Sequence, residues 1–177
     1  MTVSLPDFGY AVWFVETLVL KSIDGFPPYD WWIPACVLMI LGATAAVDAF
    51  TAIVPDLLII PGFLAFIALL GFSVSWPVAL HALSLGVAAG ALVLLLDILW
   101  FLAFKRNALG MGDAKWTMFA VTAYGVMPVL ISWGIGAWLA VGWILAAKLM
   151  RRPTPYVHFA PFLFVGLIGG LWWQHMR

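Results

Sequence analysis

Long apolar stretches set the strongest limit on how this chain can fold. The 177 residues are 66% hydrophobic and only 9% charged, whereas a soluble domain carries about a quarter charged residues. So few charges cannot cover a surface that faces water. In a bilayer every backbone polar group needs a partner within the protein, and a helix supplies these partners by itself. The composition therefore predicts an all-α membrane protein whose main solvent is the lipid bilayer.

The apolar stretches predict a polytopic bundle of about six transmembrane helices. Glycine, proline and charged residues separate them. The predicted helices cover about 32–50, 57–72, 77–104, 114–131, 133–150 and 158–173. Gly125 and Pro128 offer an alternative, earlier end for the fourth helix. We expect one six-helix transmembrane domain over residues 32–177.

The first 31 residues form a separate N-terminal segment. Residues 10–23 are apolar but include Glu16 and Lys21, and the stretch is shorter than the roughly 20 residues that a crossing needs. We predict an interfacial or partly inserted helix on the extracytoplasmic side. A seventh span at 10–23 remains the alternative, and it leaves the orientation of the other helices unchanged.

The distribution of basic residues predicts the orientation. Six of the eight Lys and Arg residues lie on the side that holds the loops after the first, third and fifth helices. An excess of basic residues identifies the cytoplasmic side of a membrane protein. The loops at 48–56 and 105–115 should therefore face the cytoplasm, and the protein should be a multi-pass component of the inner (plasma) membrane.

Several classes of partner are not expected. Cys36 is the single cysteine, and His81, His158 and His175 are scattered along the chain. The sequence therefore predicts no disulfide, no metal site and no cofactor. It contains no basic patch that would indicate a nucleic-acid partner, and it does not indicate an oligomeric state.

Two aspartates are the candidate catalytic residues. Asp48 lies near the predicted cytoplasmic end of the first helix, and Asp113 lies at the cytoplasmic start of the fourth. An ionisable residue between apolar helices is a candidate functional site. Two facing carboxylates are what an aspartyl hydrolase requires: one takes a proton from water, and the other, protonated, hydrogen-bonds the scissile carbonyl. Such a pair titrates together and predicts a bell-shaped pH profile.

Small and polar residues surround both aspartates. Thr44, Asp48 and Thr51 recur at helical spacing and predict a polar stripe on one face of the first helix. Gly110 and Gly112 leave space for a peptide beside Asp113. Each aspartate also has a simpler alternative role: Asp113 as a helix cap, and Asp48 as a helix-end residue that reaches water.

Three motifs resemble those of a known family. Gly110-Met111-Gly112-Asp113-Ala114-Lys115 is similar to the Gly-x-Gly-Asp-x-Lys signature of the type IV prepilin peptidases. Val47-Asp48 followed by Val54-Pro55-Asp56-Leu57 resembles their first motif, in which Asp is followed by Ile-Pro-Asn. Phe159-Ala160-Pro161-Phe162-Leu163 is similar to their C-terminal proline motif. Together the motifs cover about 33–174.

The resemblance implies a membrane aspartyl endopeptidase with Asp48 and Asp113 as the catalytic pair. Its partners would be prepilin-like, pseudopilin-like or preflagellin-like membrane substrates, cut at the cytoplasmic face before their hydrophobic helix. Pro55 and Asp56 would shape the site or bind substrate, and Asp56 adds a third carboxylate where the family has Asn. The Cys-rich insert of full-length members is absent, so the resemblance is to the short form and does not extend to N-methylation.

The roles of the other charged residues, and the class of the protein, have alternative interpretations. Asp97, inside the third predicted helix, either assists the catalytic pair or is hydrogen-bonded within the bundle or paired with Lys105 or Arg106. Lys115 is interpreted as an interface anchor that points away from Asp113. The alternative to a peptidase is a small transporter in which Asp48, Asp97 and Asp113 carry protons or cations.

Overall fold

The computed structural model describes residues 32–51, 53–105, 109–151 and 157–176. All regular structure in these ranges is α-helical. The helices are α1 (Trp32–Thr51), α2 (Asp56–Ser73), α3 (Trp76–Phe104), α4 (Met111–Tyr124), α5 (Val126–Leu149) and α6 (Ala160–His175). The predicted N-terminal segment at 1–31, with its candidate interfacial helix, lies outside the described residues.

Four of these helices are long and apolar enough to cross a membrane, namely α1, α2, α3 and α5. Helix α4 has 14 residues and α6 has 16, fewer than the roughly 20 that a bilayer crossing needs. The prediction of an all-α membrane protein is confirmed at this level. The predicted count of six spans is not supported by helix length, because two of the six helices are too short.

Helix α3 shows how little of its surface the protein covers. It has 29 residues and buries only Ala79, Gly86, Gly90 and Val93. Leu92, Leu95, Ile98, Leu99 and Leu102, near its end, are all exposed. A continuous apolar face of this size is not stable in water. It is the surface expected of a helix that contacts lipid on most of its circumference.

Helix α4 has the opposite character, because it is the most enclosed helix of the described bundle. From Asp113 to Tyr124 every residue except Lys115 and Met118 is buried. The Phe119 ring packs against Phe63 and Phe66 of α2, with ring centroids 5.6 and 6.1 Å apart. The indole N–H of Trp116 donates to the carbonyl of Leu41 in α1 at 3.4 Å. The Gly-x-Gly-Asp motif therefore opens a helix that lies inside the bundle.

Two glycine pairs, Gly86 with Gly90 in α3 and Gly166 with Gly170 in α6, allow close contact between helices. A Cβ on Gly86 of α3 would clash with Thr122 and with the Met118 carbonyl of α4. A Cβ on Gly166 or Gly170 of α6 would meet the backbone carbonyl of Ser132 or Pro128 in α5. Glycines four residues apart let helix backbones approach each other closely. In this way α3 packs on α4, and α6 packs on α5.

The boundary between the fourth and fifth helices differs from the predicted one. Helix α4 ends at Tyr124, and Gly125 adopts φ 80° before α5 begins. The prediction of a break at Ser132 was wrong, and the alternative end at Gly125 is correct. Ser132 is buried within α5, where its hydroxyl donates to the Leu163 carbonyl at 2.6 Å. The positive φ ends the helix because glycine adopts it without steric cost.

Candidate active site

The first predicted carboxylate, Asp48, lies in the last turn of α1 and is 7% exposed. The backbone N–H of Ala160, the first residue of α6, donates a hydrogen bond to this carboxylate. A carboxylate is favoured at a helix N-terminus, where backbone N–H groups lack partners within the helix. Asp48 therefore joins the end of α1 to the start of α6, which is the segment of the Phe159-Ala160-Pro161 motif.

The second predicted carboxylate, Asp113, is the third residue of α4 and is 8% exposed. Its Oδ2 atom accepts a hydrogen bond from the Gly110 N–H at 3.0 Å. Its own N–H donates to the Gly110 carbonyl at 3.0 Å. These two bonds close the first turn reciprocally, in the manner of a capping box. The capping role considered for Asp113 is therefore present, and it orients the carboxylate at the start of a buried helix.

Asp48 and Asp113 are linked by an electrostatic interaction. The charge of Asp48 acts on Asp113, and the charge of Asp97 does as well. His158, just before α6, acts on Asp48. Two buried carboxylates from different helices, at the same end of the bundle, can exchange protons with a substrate held between them. This is acid–base chemistry that neither residue could perform alone.

The two glycines of the motif have different surroundings. A Cβ on Gly112 would lie 2.5 Å from Cγ2 of Val54, so the loop before α2 fills the space beside this glycine. A Cβ on Gly110 would meet only Asp113 Oδ2 at 3.7 Å and the Gly112 nitrogen at 3.8 Å. Only Gly110 therefore has the free space beside Asp113 that was predicted for both glycines.

The third carboxylate, Asp56, has a cationic partner. Lys115 Nζ lies 2.6 Å from Asp56 Oδ1, with both side chains partly exposed. Asp56 opens α2 and follows Pro55, whose carbonyl accepts the N–H groups of Leu58 and Ile59. The interpretation of Lys115 as an interface anchor missed this pair. The available signal was the opposite charge of two residues at helix starts on the same side.

The two threonines of the predicted polar stripe are engaged within their own segment. The Thr44 hydroxyl is fully buried and donates to the Leu41 carbonyl at 2.8 Å. The exposed Thr51 hydroxyl donates to the Val47 carbonyl at 2.8 Å and accepts the Ile53 N–H at 3.3 Å. Thr51 thus stabilises the turn after α1, and the buried stripe consists of Thr44 and Asp48.

Sequence reasoning missed the action of His158 on this site. His158 is one of three histidines that are scattered along the sequence, although it directly precedes the C-terminal proline motif. For Asp97 the sequence allows a role in assisting the pair or a hydrogen bond within the bundle, and in the structure its Oδ1 accepts the Leu109 N–H at 2.9 Å. Position relative to a motif could have indicated His158, whereas nothing in the sequence indicated the contact of Asp97. Among the described residues, no group of His, Cys, Asp and Glu is placed to hold a metal ion.

Comparisons of the chain with protein-family models, with curated proteins and with solved structures give no match.

Proposed function

We propose that this protein is a membrane aspartyl endopeptidase that removes leader peptides from prepilin-like or preflagellin-like substrates. The observation that carries the proposal is that Asp48 and Asp113 are both buried and come from different helices, and that the charge of Asp48 acts on Asp113. The resemblance of the three motifs to those of the type IV prepilin peptidases supports it. The contacts between Val54 and Gly112, and between Asp56 and Lys115, also bring the first two motifs against each other.

The proposed reaction is hydrolysis of one peptide bond by the aspartate pair. The ionised carboxylate accepts a proton from water while the water oxygen attacks the scissile carbonyl carbon. The protonated carboxyl donates its proton to the carbonyl oxygen, which gives a tetrahedral intermediate. When the C–N bond breaks, the leaving nitrogen takes a proton from the first carboxyl, and a hydroxyl of the intermediate returns a proton to the second carboxylate as the new carboxyl group forms. No cofactor enters this scheme.

The same proposal includes the membrane arrangement. In it, α4 and α6 complete a six-helix transmembrane domain although they are short, because buried helices can end within protein where others shield their polar ends. The site end of the bundle faces the cytoplasm, as the Lys and Arg distribution predicts. Short helices at this end also leave an aqueous approach for the water that the reaction consumes.

Single substitutions of the two aspartates test the proposal. We expect Asp48→Asn and Asp113→Asn each to lower cleavage of a prepilin-like substrate in membranes by about 10²–10⁴-fold, because proton transfer is lost. Asparagine keeps the shape and an acceptor oxygen for the Ala160 and Gly110 N–H groups. Asp30→Asn, predicted on the opposite side of the membrane, is the matched control and should cleave normally. Full cleavage by either site variant would reject the assignment.

The transporter alternative has one observation in its favour, namely the electrostatic link between Asp97 and Asp113. The same membranes distinguish it from the peptidase. Reconstituted vesicles would show a proton or cation flux that Asp48→Asn and Asp113→Asn abolish, without any cleavage by the wild-type protein. We expect cleavage and no such flux.

A further inference from the structure

Asp97 occupies an unusual place for a carboxylate. It is half-buried in α3, about two turns before the helix ends at Phe104. Lys105 follows with φ 55°, in the left-handed region, which turns the chain out of the helix. The N–H of Leu109 donates to Asp97 Oδ1 at 2.9 Å. An aspartate within a long apolar helix thus binds the segment that leads into α4.

The next amide along the chain is bound by the proposed catalytic residue. The Gly110 N–H donates to Asp113 Oδ2 at 3.0 Å. The consecutive amides of Leu109 and Gly110 are therefore held by aspartates from two different helices. Hydrogen bonds to a carboxylate are about twice as strong as those between neutral groups. Together they connect α3 to the first turn of α4 through two consecutive peptide groups that share Leu109.

The other side of this turn is held by α2 and the loop before it. Val54 fills the space beside Gly112, and Asp56 pairs with Lys115. Helix α3 also packs on this turn, because a Cβ on Gly90 would lie 3.2 Å from the Ala114 carbonyl. The Asp97 contact adds a directional hydrogen bond from α3 to the residues just before α4, which packing alone does not supply.

We propose that Asp97 is a positioning residue, which by accepting the Leu109 N–H holds the start of α4 where Asp113 can act together with Asp48. This inference rests on the proposed peptidase function. It assigns Asp97 no contact with the substrate and no proton transfer. Its negative charge, which also acts on Asp113, is a separate property that the experiment must distinguish from its hydrogen bond.

Two substitutions separate the hydrogen bond from the charge. Asp97→Asn keeps an acceptor oxygen and removes the charge, whereas Asp97→Ala removes both. We expect Asp97→Asn to keep kcat within about threefold of wild type, because a neutral acceptor retains much of the bond. Asp97→Ala should lower kcat by about 10–10²-fold with KM nearly unchanged, because a small displacement of a catalytic group has this effect. Ser84→Ala, whose hydroxyl bonds its own helix, is the control on α3.

Hydrogen exchange of the Leu109 amide supplies a readout that does not depend on cleavage. Protection should be retained in Asp97→Asn and lost in Asp97→Ala. If Asp97→Ala does not fold, Asp97→Ser, which is too short to reach Leu109, replaces it. Wild-type kcat in a variant that has lost Leu109 protection would overturn the proposal. So would an Asp97→Asn variant with Leu109 protected but kcat as low as in Asp97→Ala, since the charge would then be responsible.

The same data distinguish failure of this inference from failure of the proposed function. If Asp48→Asn cleaves normally, the peptidase assignment fails, whatever happens at Asp97. If Asp48→Asn is inactive and Asp97→Ala cleaves with wild-type kcat, the peptidase assignment stands and the positioning role is rejected.

Discussion

At the scale of single residues, the four aspartates in the described part of the chain each have a defined partner. Asp48 accepts the Ala160 N–H, Asp97 accepts the Leu109 N–H, and Asp113 accepts the Gly110 N–H. Asp56 pairs with Lys115. An unpaired carboxylate is costly where water is scarce. These partners explain how an otherwise apolar protein holds four carboxylates at one end of its bundle.

The Asp56–Lys115 pair should contribute little to stability. Both side chains are partly exposed, and exposed ion pairs typically contribute about 0.2–1 kcal/mol. A double-mutant cycle with Asp56→Asn and Lys115→Gln, followed by unfolding in mixed micelles, should give a coupling free energy below about 1 kcal/mol. A coupling of about 3 kcal/mol or more would show that the pair behaves as a buried one.

Gly112 should be intolerant of a side chain because of Val54. In Gly112→Ala the new Cβ would lie 2.5 Å from Val54 Cγ2, and such overpacking costs about 1–3 kcal/mol. We expect a lower free energy of unfolding and slower cleavage. Adding Val54→Ala should restore part of both, because Cγ2 is removed while Cβ stays at 2.8 Å. Gly110→Ala, with no contact closer than 3.7 Å, is the comparison and should lose less stability.

At the scale of the elements, the short α4 is the centre of the described bundle and the long α3 lies at its lipid-facing side. Gly86 and Gly90 bring the two together. Helices in a membrane associate mainly through close packing, since burial of apolar surface gives little advantage over lipid. The contact between α3 and α4 therefore depends on the absence of side chains on α3 at these two positions.

Alanine substitution should show this dependence directly. In Gly86→Ala the Cβ would clash with Thr122 and lie 2.6 Å from the Met118 carbonyl, which should lower the free energy of unfolding by about 1–3 kcal/mol. The matched control is Gly142→Ala in α5, where a Cβ meets nothing within 4 Å. That variant should be neutral or more stable by up to about 1 kcal/mol, because alanine favours the helix. Equal destabilisation of both variants, measured by unfolding in mixed micelles, would contradict the packing argument.

The sequence predicted the elements well where apolar stretches end in strong punctuation. The bounds of α1, α2 and α3 lie within a residue or two of the predicted ones. The fourth boundary was displaced to Ser132 because a buried serine and a loop serine look alike in a sequence. Hydropathy also could not predict the lengths of α4 and α6. Both lie in apolar stretches as long as those of the spanning helices, but the helices themselves are short. A helix that is enclosed by other helices need not span the bilayer by itself.

The contacts within the candidate site were less predictable than its members. The sequences of the motifs indicated Asp48, Asp113, Pro55 and Asp56 as residues of the site. It did not indicate that Val54 fills the space beside Gly112, or that Asp97 binds the Leu109 amide. These contacts join residues from different helices, so they depend on how the helices pack, which local patterns do not record.

At the scale of the whole molecule, the ends of the helices form one consistent face. The end of α1, the start of α2, the start of α4 and the start of α6 are joined by the contacts of Asp48, Asp56 and Asp113. The end of α3 belongs to the same region through Asp97 and Leu109. In contrast, the connection between α2 and α3 around Val74 and Ser75 lies at the far end of both helices. The proposed membrane arrangement therefore has the site on one side and Ser73 on the other.

Cysteine labelling from the two sides of the membrane tests this arrangement and its orientation. The single native cysteine, Cys36, is exposed and is replaced by alanine to give a silent background. Ile53→Cys and Lys105→Cys, both at exposed positions of the site end, should react with a membrane-impermeant maleimide only from the cytoplasmic side. Ser73→Cys, exposed at the other end of α2, should react only from the opposite side.

The pattern of labelling separates the fold from the orientation. If Ile53→Cys and Lys105→Cys react from different sides, α1 and α3 do not end at the same face, and the bundle itself is contradicted. If both react from the extracytoplasmic side while Ser73→Cys reacts from the cytoplasm, the bundle is retained and the orientation is reversed. A substrate cut at the cytoplasmic face could then not reach Asp48 and Asp113. The basic residues make the cytoplasmic result the expected one, because Lys and Arg are retained on that side during insertion.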